Sequence, residues 1–145
     1  MQIAEIMTRN VHLARPENTL HEAAVMMADH DIGFLPVADE SGLVGTITDR
    51  DIVVRAIAPG RDGETLVGDT MSTSVTYCFS DEQVEDVVRH MGALQVRRLA
   101  VLDRHNRLAG VVSLADAARA APDAAGSGLK EIVEPTEGAT YRPLP

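Results

Sequence analysis

Two segments of this chain place a glycine, a hydroxyl side chain and a carboxylate at the same spacing. They read Gly45-x-x-Thr48-x-x-Asp51 and Gly110-x-x-Ser113-x-x-Asp116. Each hydroxyl lies where an apolar run ends and a helical pattern begins, so it can bond a phosphate at the positive helix end. The aspartate follows one helical turn later on the same face, where a carboxylate can accept both hydroxyls of a ribose. The spacing therefore suits a nucleotide.

A plainer interpretation of these segments is also available. A hydroxyl followed by an acid in the first turn is typical of a helix N-cap with a carboxylate that complements the helix dipole. For one segment alone we would favour this interpretation. Its recurrence at corresponding places in the chain favours the binding interpretation instead.

The two segments belong to a longer duplication. Met7 aligns with Met71 at an offset of 64 residues, and after one inserted residue Gly45 aligns with Gly110 at an offset of 65. The shared pattern covers residues 6–51 and 70–116, and we name the repeats that contain it copy one (residues 1–58) and copy two (residues 67–121). Two copies are too few for a solenoid, so the pattern predicts two half-domains packed face to face, with a ligand cleft where they meet.

Each copy predicts the order β-α-β-β-α, which places the chain in the α+β class. For copy one we expect a strand at 11–13, a helix beginning at a Thr19–Glu22 capping box, strands at 34–38 and 43–47, and a helix at 49–57. For copy two we expect a strand at 75–77, a helix beginning at a Ser80–Gln83 box, strands at 99–102 and 108–112, and a helix at 114–121. The capping boxes and the polar turns between paired strands carry these boundaries.

The chain divides into a first repeat (1–58), a linker (59–66), a second repeat (67–121) and a C-terminal tail (122–145). Pro59-Gly60 marks the linker. From Pro122 the composition changes, with Gly126-Ser127-Gly128 and a Pro- and Gly-bearing end, and composition alone predicts disorder there. A short apolar stretch from Leu129 leaves open that a partner subunit holds the tail.

Composition narrows the class of protein. The 145 residues are 45% hydrophobic, which predicts a globular domain, while 3% aromatic residues and a net charge of −9 argue against nucleic-acid binding. The single cysteine, Cys78, cannot form an internal disulfide, so we expect a cytoplasmic protein. No apolar run reaches about 18 residues, and no signal-peptide pattern opens the sequence, so we expect no membrane association.

The duplicated order, the Met7-Thr8 and Met71-Ser72 leads and the two Gly-x-x-Thr/Ser-x-x-Asp segments resemble a pair of CBS domains, also called a Bateman module. The resemblance covers residues 3–121 and is greatest to small stand-alone bacterial CBS pairs of the hypoxic-response type. It implies two repeats packed about a pseudo-twofold axis. It also implies two clefts that bind adenosyl ligands: AMP, ADP or ATP foremost, with NAD or S-adenosylmethionine less favoured.

The resemblance also implies roles for individual residues. Asp51 and Asp116 would hold ribose, and Thr48 and Ser113 would hold phosphate. The segments before the first paired strands would line the clefts; they are Ile32, Gly33 and Phe34 in copy one, and Val96, Arg97 and Arg98 in copy two.

The two copies differ in the cations near these residues. Arg97 and Arg98 can grip a phosphate, whereas copy one offers only Arg50, inside the motif, and Arg55 nearby. We therefore expect unequal sites, with copy two better suited to phosphate. Adjacent residues of an extended segment point to opposite sides, so we expect only one of the two arginines to face the cleft. A surface pair that balances the acidic chain is the alternative.

No pattern in the sequence favours catalysis or a metal centre. His21, Met26, Met27 and His30 are poorly grouped for a metal, and Asp49 and Asp51 do not face each other as an acid–base pair would. Cys78 is best explained as a bystander thiol. We expect no catalytic residue, no metal ligand and no resident cofactor.

The sequence leads to three functional hypotheses, of which an enzyme that acts on a nucleotide has the least support. The first is a non-enzymatic regulatory module, a homodimer that binds an adenine nucleotide and signals to another protein. In it Arg97 or Arg98 and Ser113 take phosphate, Asp116 takes ribose and Val96 covers the base. The alternative is a structural or interaction dimer whose clefts bind no nucleotide, in which the motifs serve only as helix caps.

Overall fold

The computed structural model describes residues 1–135, and both copies have the predicted α+β composition. Copy one contains helix α1 (Leu20–His30), strands β1 (Phe34–Asp39) and β2 (Gly42–Thr48), and helix α2, which is α-helical over Asp49–Asp51 and π-helical over Ile52–Ile57. Copy two contains β3 (Tyr77–Phe79), α3 (Val84–Leu94), β4 (Arg98–Leu102), β5 (Leu108–Ser113) and α4 (Leu114–Ala120). Helix α5 (Pro122–Ile132) follows.

The paired strands form matching hairpins in the two copies. β1 is antiparallel to β2, and β4 is antiparallel to β5, with an irregularity at corresponding places, Val37/Ala38 and Val101/Leu102. Gly42 and Asn106 take positive φ values of 114° and 62° in the two turns, where Gly and Asn are the residue types that tolerate this conformation.

The first strand of each copy differs from the prediction. In copy two it lies at Tyr77–Phe79, two residues later than expected, and pairs in parallel with β4. In copy one the predicted strand at 11–13 is wrong, because only an isolated bridge between Ala14 and Val37 forms. Pro36 explains the loss: its carbonyl accepts the Ala14 N–H, but it has no N–H to extend the ladder backwards.

The two long helices begin in different ways. The Thr19–Glu22 capping box is confirmed, since the Thr19 hydroxyl accepts the Glu22 N–H and the Glu22 carboxylate accepts the Thr19 N–H. The predicted Ser80–Gln83 box is wrong. Helix α3 begins after Gln83, whose side chain caps nothing, because the Ser80 N–H is already bonded to the carbonyl of Leu102.

The leads of the two copies are exchanged in space. Lead one, residues 3–7, passes over copy two, where Thr8 bridges to Val111; lead two, residues 67–71, passes over copy one, where Ser72 bridges to Thr46. Both bridges have two backbone hydrogen bonds of 2.9–3.0 Å. The sequence repeat and the packed half-domain are therefore different sets of residues.

Two hydrophobic cores reflect this exchange. Ile3 of lead one is 1% exposed within the core of copy two, and Val67 of lead two is fully buried within the core of copy one. A side chain at Gly45 or Gly110 would obstruct the crossing, because a Cβ would lie 2.7 Å from the Ser72 oxygen or 2.5 Å from the Thr8 oxygen. The glycine of each motif thus allows a lead to cross.

The first part of the tail is ordered, contrary to the expectation from composition. Pro122 starts helix α5, and Ala125 within it is 3% exposed in the core of copy two. The chain packs this segment against its own α3 and α4. Residues 136–145, the rest of the predicted tail, lie outside the described residues. No helix within residues 1–135 combines the length and the apolar character that crossing a membrane requires.

Candidate functional site

The hydroxyl and the carboxylate of each motif form a reciprocal capping box. Thr48 Oγ1 accepts the Asp51 N–H at 3.1 Å, and Asp51 Oδ2 accepts the Thr48 N–H at 3.0 Å. Ser113 and Asp116 repeat the arrangement at 3.1 and 2.9 Å. The capping interpretation is thus correct for both copies. These hydrogen bonds fix the orientation of all four side chains.

Capping leaves binding capacity on these groups. A Thr or Ser hydroxyl has one hydrogen and two lone pairs, and the caps use only a lone pair. Within residues 1–135 the hydroxyl hydrogens of Thr48 and Ser113 have no acceptor. Each hydroxyl can therefore cap its helix and donate to a phosphate oxygen at the same time.

The second oxygen of each aspartate meets an arginine one turn along. Asp116 Oδ1 accepts from Arg119 at 2.6 Å, whereas Asp51 Oδ1 lies 3.7 Å from Arg55 Nε. The side chains of Asp51 and Asp116 are 17% and 12% exposed, so both are largely buried but remain accessible to a ligand. Asp51 Oδ1 is the freer acceptor, because its arginine stands beyond hydrogen-bond distance.

The copy-two motif faces a cleft that we name the Asp116 cleft. Copy two contributes Arg98, Val111, Ser113 and Asp116, and copy one contributes Asp31, Ile32, Phe34 and Pro36; the rest of the lining follows lead one and comprises Thr8, Asn10, Val11 and His12. The His12 ring stacks on His30 with centroids 3.5 Å apart. The volume of this cleft is about 190 Å³.

The copy-one motif faces a second cleft, the Asp51 cleft, of about 620 Å³. Copy one contributes Gly33, Phe34, Thr46, Thr48, Asp49, Arg50 and Asp51, copy two contributes Gln95, Val96, Arg97 and Arg98, and the segment after lead two contributes Ser72, Ser74 and Thr76. Ile132 of helix α5 completes the lining. The predicted site residues therefore all line one or both of the two clefts.

The structure groups these residues differently from the prediction. Val96 and Arg97 face Thr48 and Asp51 rather than Ser113 and Asp116, and Ile32 faces Asp116. Each cleft thus combines the motif of one copy with the segment before the first paired strand of the other. The reason is the face-to-face packing, which brings the end of one hairpin opposite the beginning of the other.

The arginines also depart from the expectation that only one would face a cleft. Both Arg97 and Arg98 line the Asp51 cleft, and Arg98 lines the Asp116 cleft as well. Strand alternation does not apply to the pair, because β4 begins at Arg98 and Arg97 precedes it. Arg50 belongs to the same cleft, so the cleft of the copy-one motif has more arginines in its lining than that of the copy-two motif.

The two clefts therefore differ in charge. Two carboxylates, Asp31 and Asp116, share the Asp116 cleft with one guanidinium, that of Arg98. In the Asp51 cleft three guanidinium groups, those of Arg50, Arg97 and Arg98, outnumber the two carboxylates. The larger, more positive Asp51 cleft is the better place for a phosphate.

Sequence reasoning missed the residues that follow each lead. Ser72, Ser74 and Thr76 present three hydroxyls to the Asp51 cleft, and Asn10 and His12 occupy the equivalent positions in the other. The signal was available, since polar residues at every second position of an extended segment share one side. Among residues 1–135, no group of three or more His, Cys, Asp or Glu side chains is placed to hold a metal ion.

Comparison with known proteins agrees with this architecture. A family model described as the CBS domain matches residues 3–57 and again 67–123. The CBS domain-containing protein YhcV of Bacillus subtilis is 39% identical over 132 residues, which cover 90% of this chain and 94% of YhcV. Hypoxic response protein 1 of Mycobacterium tuberculosis is 38% identical over 121 residues, covering 82% of this chain and 84% of the relative.

Two solved structures of similar proteins contain adenosyl compounds. CBSX2 in complex with AMP is 26% identical with a TM-score of 0.72, covering 84% of this chain and 96% of that one. The CBS domain pair of protein MJ0100, in complex with 5-methylthioadenosine and S-adenosyl-L-methionine, is 27% identical with a TM-score of 0.74, covering 85% and 97%. Two matched repeats, whole-length relatives and the same tertiary arrangement show that the chain belongs to the CBS domain family and carries a pair of these domains.

Proposed function

We propose that this protein is a regulatory module that binds an adenine nucleotide in the Asp51 cleft and signals its presence to a partner protein. The observation that carries the proposal is the meeting of a free hydroxyl hydrogen, a carboxylate with an available oxygen and three guanidinium groups around one cleft. CBSX2 with AMP and the MJ0100 pair with S-adenosyl-L-methionine support an adenosyl ligand.

Each part of a nucleotide has a counterpart in this cleft. Asp51 Oδ1 accepts from the ribose hydroxyls, and Thr48 donates to a phosphate. Arg97 and Arg98 add charge-assisted bonds to further phosphate oxygens, which favours ADP or ATP over AMP. Val96 and Ile132 supply the apolar surface against which the base lies.

The Asp116 cleft is proposed as a weaker site for a ligand with less negative charge. The Asp31 carboxylate repels a phosphate there, and Asp116 Oδ1 already accepts a hydrogen bond from Arg119. Ile32, Phe34 and Val11 give this smaller cleft an apolar side suited to a base or a methylthio group. AMP, 5-methylthioadenosine and S-adenosylmethionine are its expected ligands.

Isothermal titration of the full chain with AMP, ADP, ATP, NAD and S-adenosylmethionine tests the proposal. Asp51→Asn keeps an oxygen for the capping bond but replaces the second oxygen by an NH2 group, which cannot accept from the ribose hydroxyls, so it should weaken ATP binding about tenfold or more while preserving the fold. Asp123→Asn, at an exposed carboxylate outside both clefts, is the control. If none of the five compounds binds at millimolar concentration, the proposal is refuted.

One observation favours the alternative, a structural dimer with unused clefts. All four motif side chains already cap helices, and helix α2 exposes Val53 and Ile57 to 57% and 56%. Exposed apolar residues one turn apart suit an interface between two copies of the chain. We propose that this face of α2 forms the homodimer in either case.

Light scattering of Val53→Asp tests the dimer. We expect the mass in solution to fall from that of two chains to that of one, since a buried unpaired carboxylate is costly. The alternative function gains if this variant is monomeric while neither the wild type nor the variant binds a nucleotide. A wild type that is itself monomeric overturns the homodimer proposal.

A further inference from the structure

Helix α5 lies at the boundary of the family match, which ends at residue 123, yet it is built firmly into copy two. Ala125 is buried in the core, and Gly128 lies so close to α3 that a Cβ there would be 2.6 Å from Val88 Cγ1. Glycine and alanine at these positions allow the helix to lie flush on α3 and α4. The helix is therefore an added element with a defined position.

The C-terminal end of α5 is attached to the Asp51 cleft by one side chain. The amide nitrogen of Gln95 donates to the backbone carbonyls of Glu131 at 3.4 Å and of Glu134 at 3.3 Å. Gln95 ends α3 in the left-handed conformation (φ 55°) and directly precedes Val96 and Arg97. The residue that holds α5 is thus continuous with the residues that line the cleft.

Ile132, at the end of α5, lines the Asp51 cleft directly. Among residues 1–135, the lining of the Asp116 cleft includes no residue of α5 and comes from the two copies and the segment after lead one. The position equivalent to Gln95 in copy one is Asp31, which also has a positive φ of 52°. After α2 the chain instead runs into the linker, where Gly63 and Thr65 bond to the first residues of α1.

We propose that α5 is the output element of this protein, and that it reads the occupancy of the Asp51 cleft through Ile132 and Gln95. A ligand in this cleft packs against Ile132 and restrains Gln95, so it suppresses the local opening of α5. Within the described part of the chain the Asp116 cleft has no such connection to α5, so a ligand there leaves α5 unchanged. This inference rests on the proposed function and assigns the signalling role to one cleft.

The experiment measures amide hydrogen exchange of the full chain with and without ATP, together with ATP affinity by titration. We expect ATP to slow exchange along 126–133, because states in which α5 has opened lose the ligand contact. Ile132→Ala should weaken ATP binding about fivefold through lost apolar contact. Val133→Ala, at a neighbouring residue that is 55% exposed and outside the cleft lining, should leave the affinity unchanged.

A second pair of variants guards against a folding defect in Ile132→Ala. Gln95→Asn keeps a residue type that tolerates positive φ but shortens the amide arm, so we expect faster exchange of 126–133 and a smaller response to ATP. Asn106→Asp, at another exposed residue with a positive φ (62°) that lines neither cleft, should leave both unchanged.

The outcomes separate this inference from the function on which it rests. If ATP binds, and Asp51→Asn weakens it, but exchange along α5 and the affinity of Ile132→Ala equal those of the wild type, the output role of α5 is wrong and the nucleotide site stands. If no nucleotide binds the wild type, both are overturned.

Discussion

Phe34 and Arg98 are equivalent residues of the two copies, and each of them lines both clefts. Phe34 pairs across its hairpin with Thr48, and Arg98 pairs with Ser113. Each residue therefore lies beside the hydroxyl residue of its own copy. It also lines the cleft that contains the motif of the other copy. The two residues shared by the clefts therefore differ in character: Phe34 is apolar and Arg98 is cationic.

Arg98 is therefore expected to serve both sites, whereas Arg97 serves one. Arg98→Ala should weaken ATP binding to the Asp51 cleft and AMP binding to the Asp116 cleft, each about tenfold, because a charge-assisted bond is lost. Arg97→Ala should affect only the first. Titrations in Asp51→Asn and Asp116→Asn backgrounds isolate the sites, and an Arg98→Ala effect confined to one of them would show that the guanidinium is not shared.

Gly45 and Gly110 should tolerate no side chain. Gly45→Ala and Gly110→Ala each place a methyl group against a backbone oxygen of the crossing lead, so we expect a loss of about 2 kcal/mol in the free energy of unfolding. Gly126→Ala is the matched control in helix α5, where a Cβ has open space, and it should stabilise by about 0.5–1 kcal/mol. Urea unfolding followed by circular dichroism measures all three, and equal effects would contradict the crossing argument.

Helix α1 has a side-chain N-cap and helix α3 has none, so changes at the two N-cap positions should shift stability in opposite directions. Thr19→Ala should lower the free energy of unfolding by about 1 kcal/mol, because it removes the acceptor for the Glu22 N–H. Gln83→Thr should raise it by a similar amount, since the Gln83 side chain, at the N-cap of α3, accepts from the Met1 amino group but makes no bond to the helix. Thermal melting of both variants checks the signs, and a destabilised Gln83→Thr would show that its bond with the amino terminus matters more.

Cys78 should be unreactive in the folded protein and should make stability fall in alkali. Burial raises the pKa of this thiol from 9.0 to about 12, with the Glu82 carboxylate adding to the shift. The contribution to stability is complete below pH 9.0 and is lost as the pH rises from 9.0 to about 12, because only the unfolded thiol ionises in that interval.

The measurement compares wild type with Cys78→Ala. Between pH 8 and 10.5 the free energy of unfolding of the wild type should fall by about 1–2 kcal/mol more than that of the variant, since all other titrating groups are shared. A disulfide reagent at pH 8 should label the thiol only in denaturant. Parallel pH curves, or rapid labelling of the native chain, would show that the thiol is accessible.

The repeat, the hairpins and the first capping box were accessible from sequence because each rests on contacts within a few residues. The exchange of leads was not, since Thr8 meets Val111 and Ser72 meets Thr46 across distances that no local pattern records. The grouping of site residues failed for the same reason. Arg97 was selected by its type and place and does line a cleft, but the motif that it faces depended on how the copies pack together.

Helix α5 shows a different limit of sequence reasoning. Gly126, Ser127 and Gly128 disfavour a helix by propensity, yet tertiary packing overrides propensity when small residues permit close approach. At Gly128 the absent side chain is what lets the helix lie against Val88. The small residues that predict disorder by composition here form a closely packed helix surface.

The crossing of the leads has a consequence for how the molecule could be divided. A chain cut at Gly60 would yield two fragments, each carrying a buried piece of the other's interior: Ile3 in one and Val67 in the other. Neither fragment could complete its own core, so folding and mutual recognition would become a single event. The duplication has thus produced two interlocked halves, which makes this protein a natural template for fragment complementation.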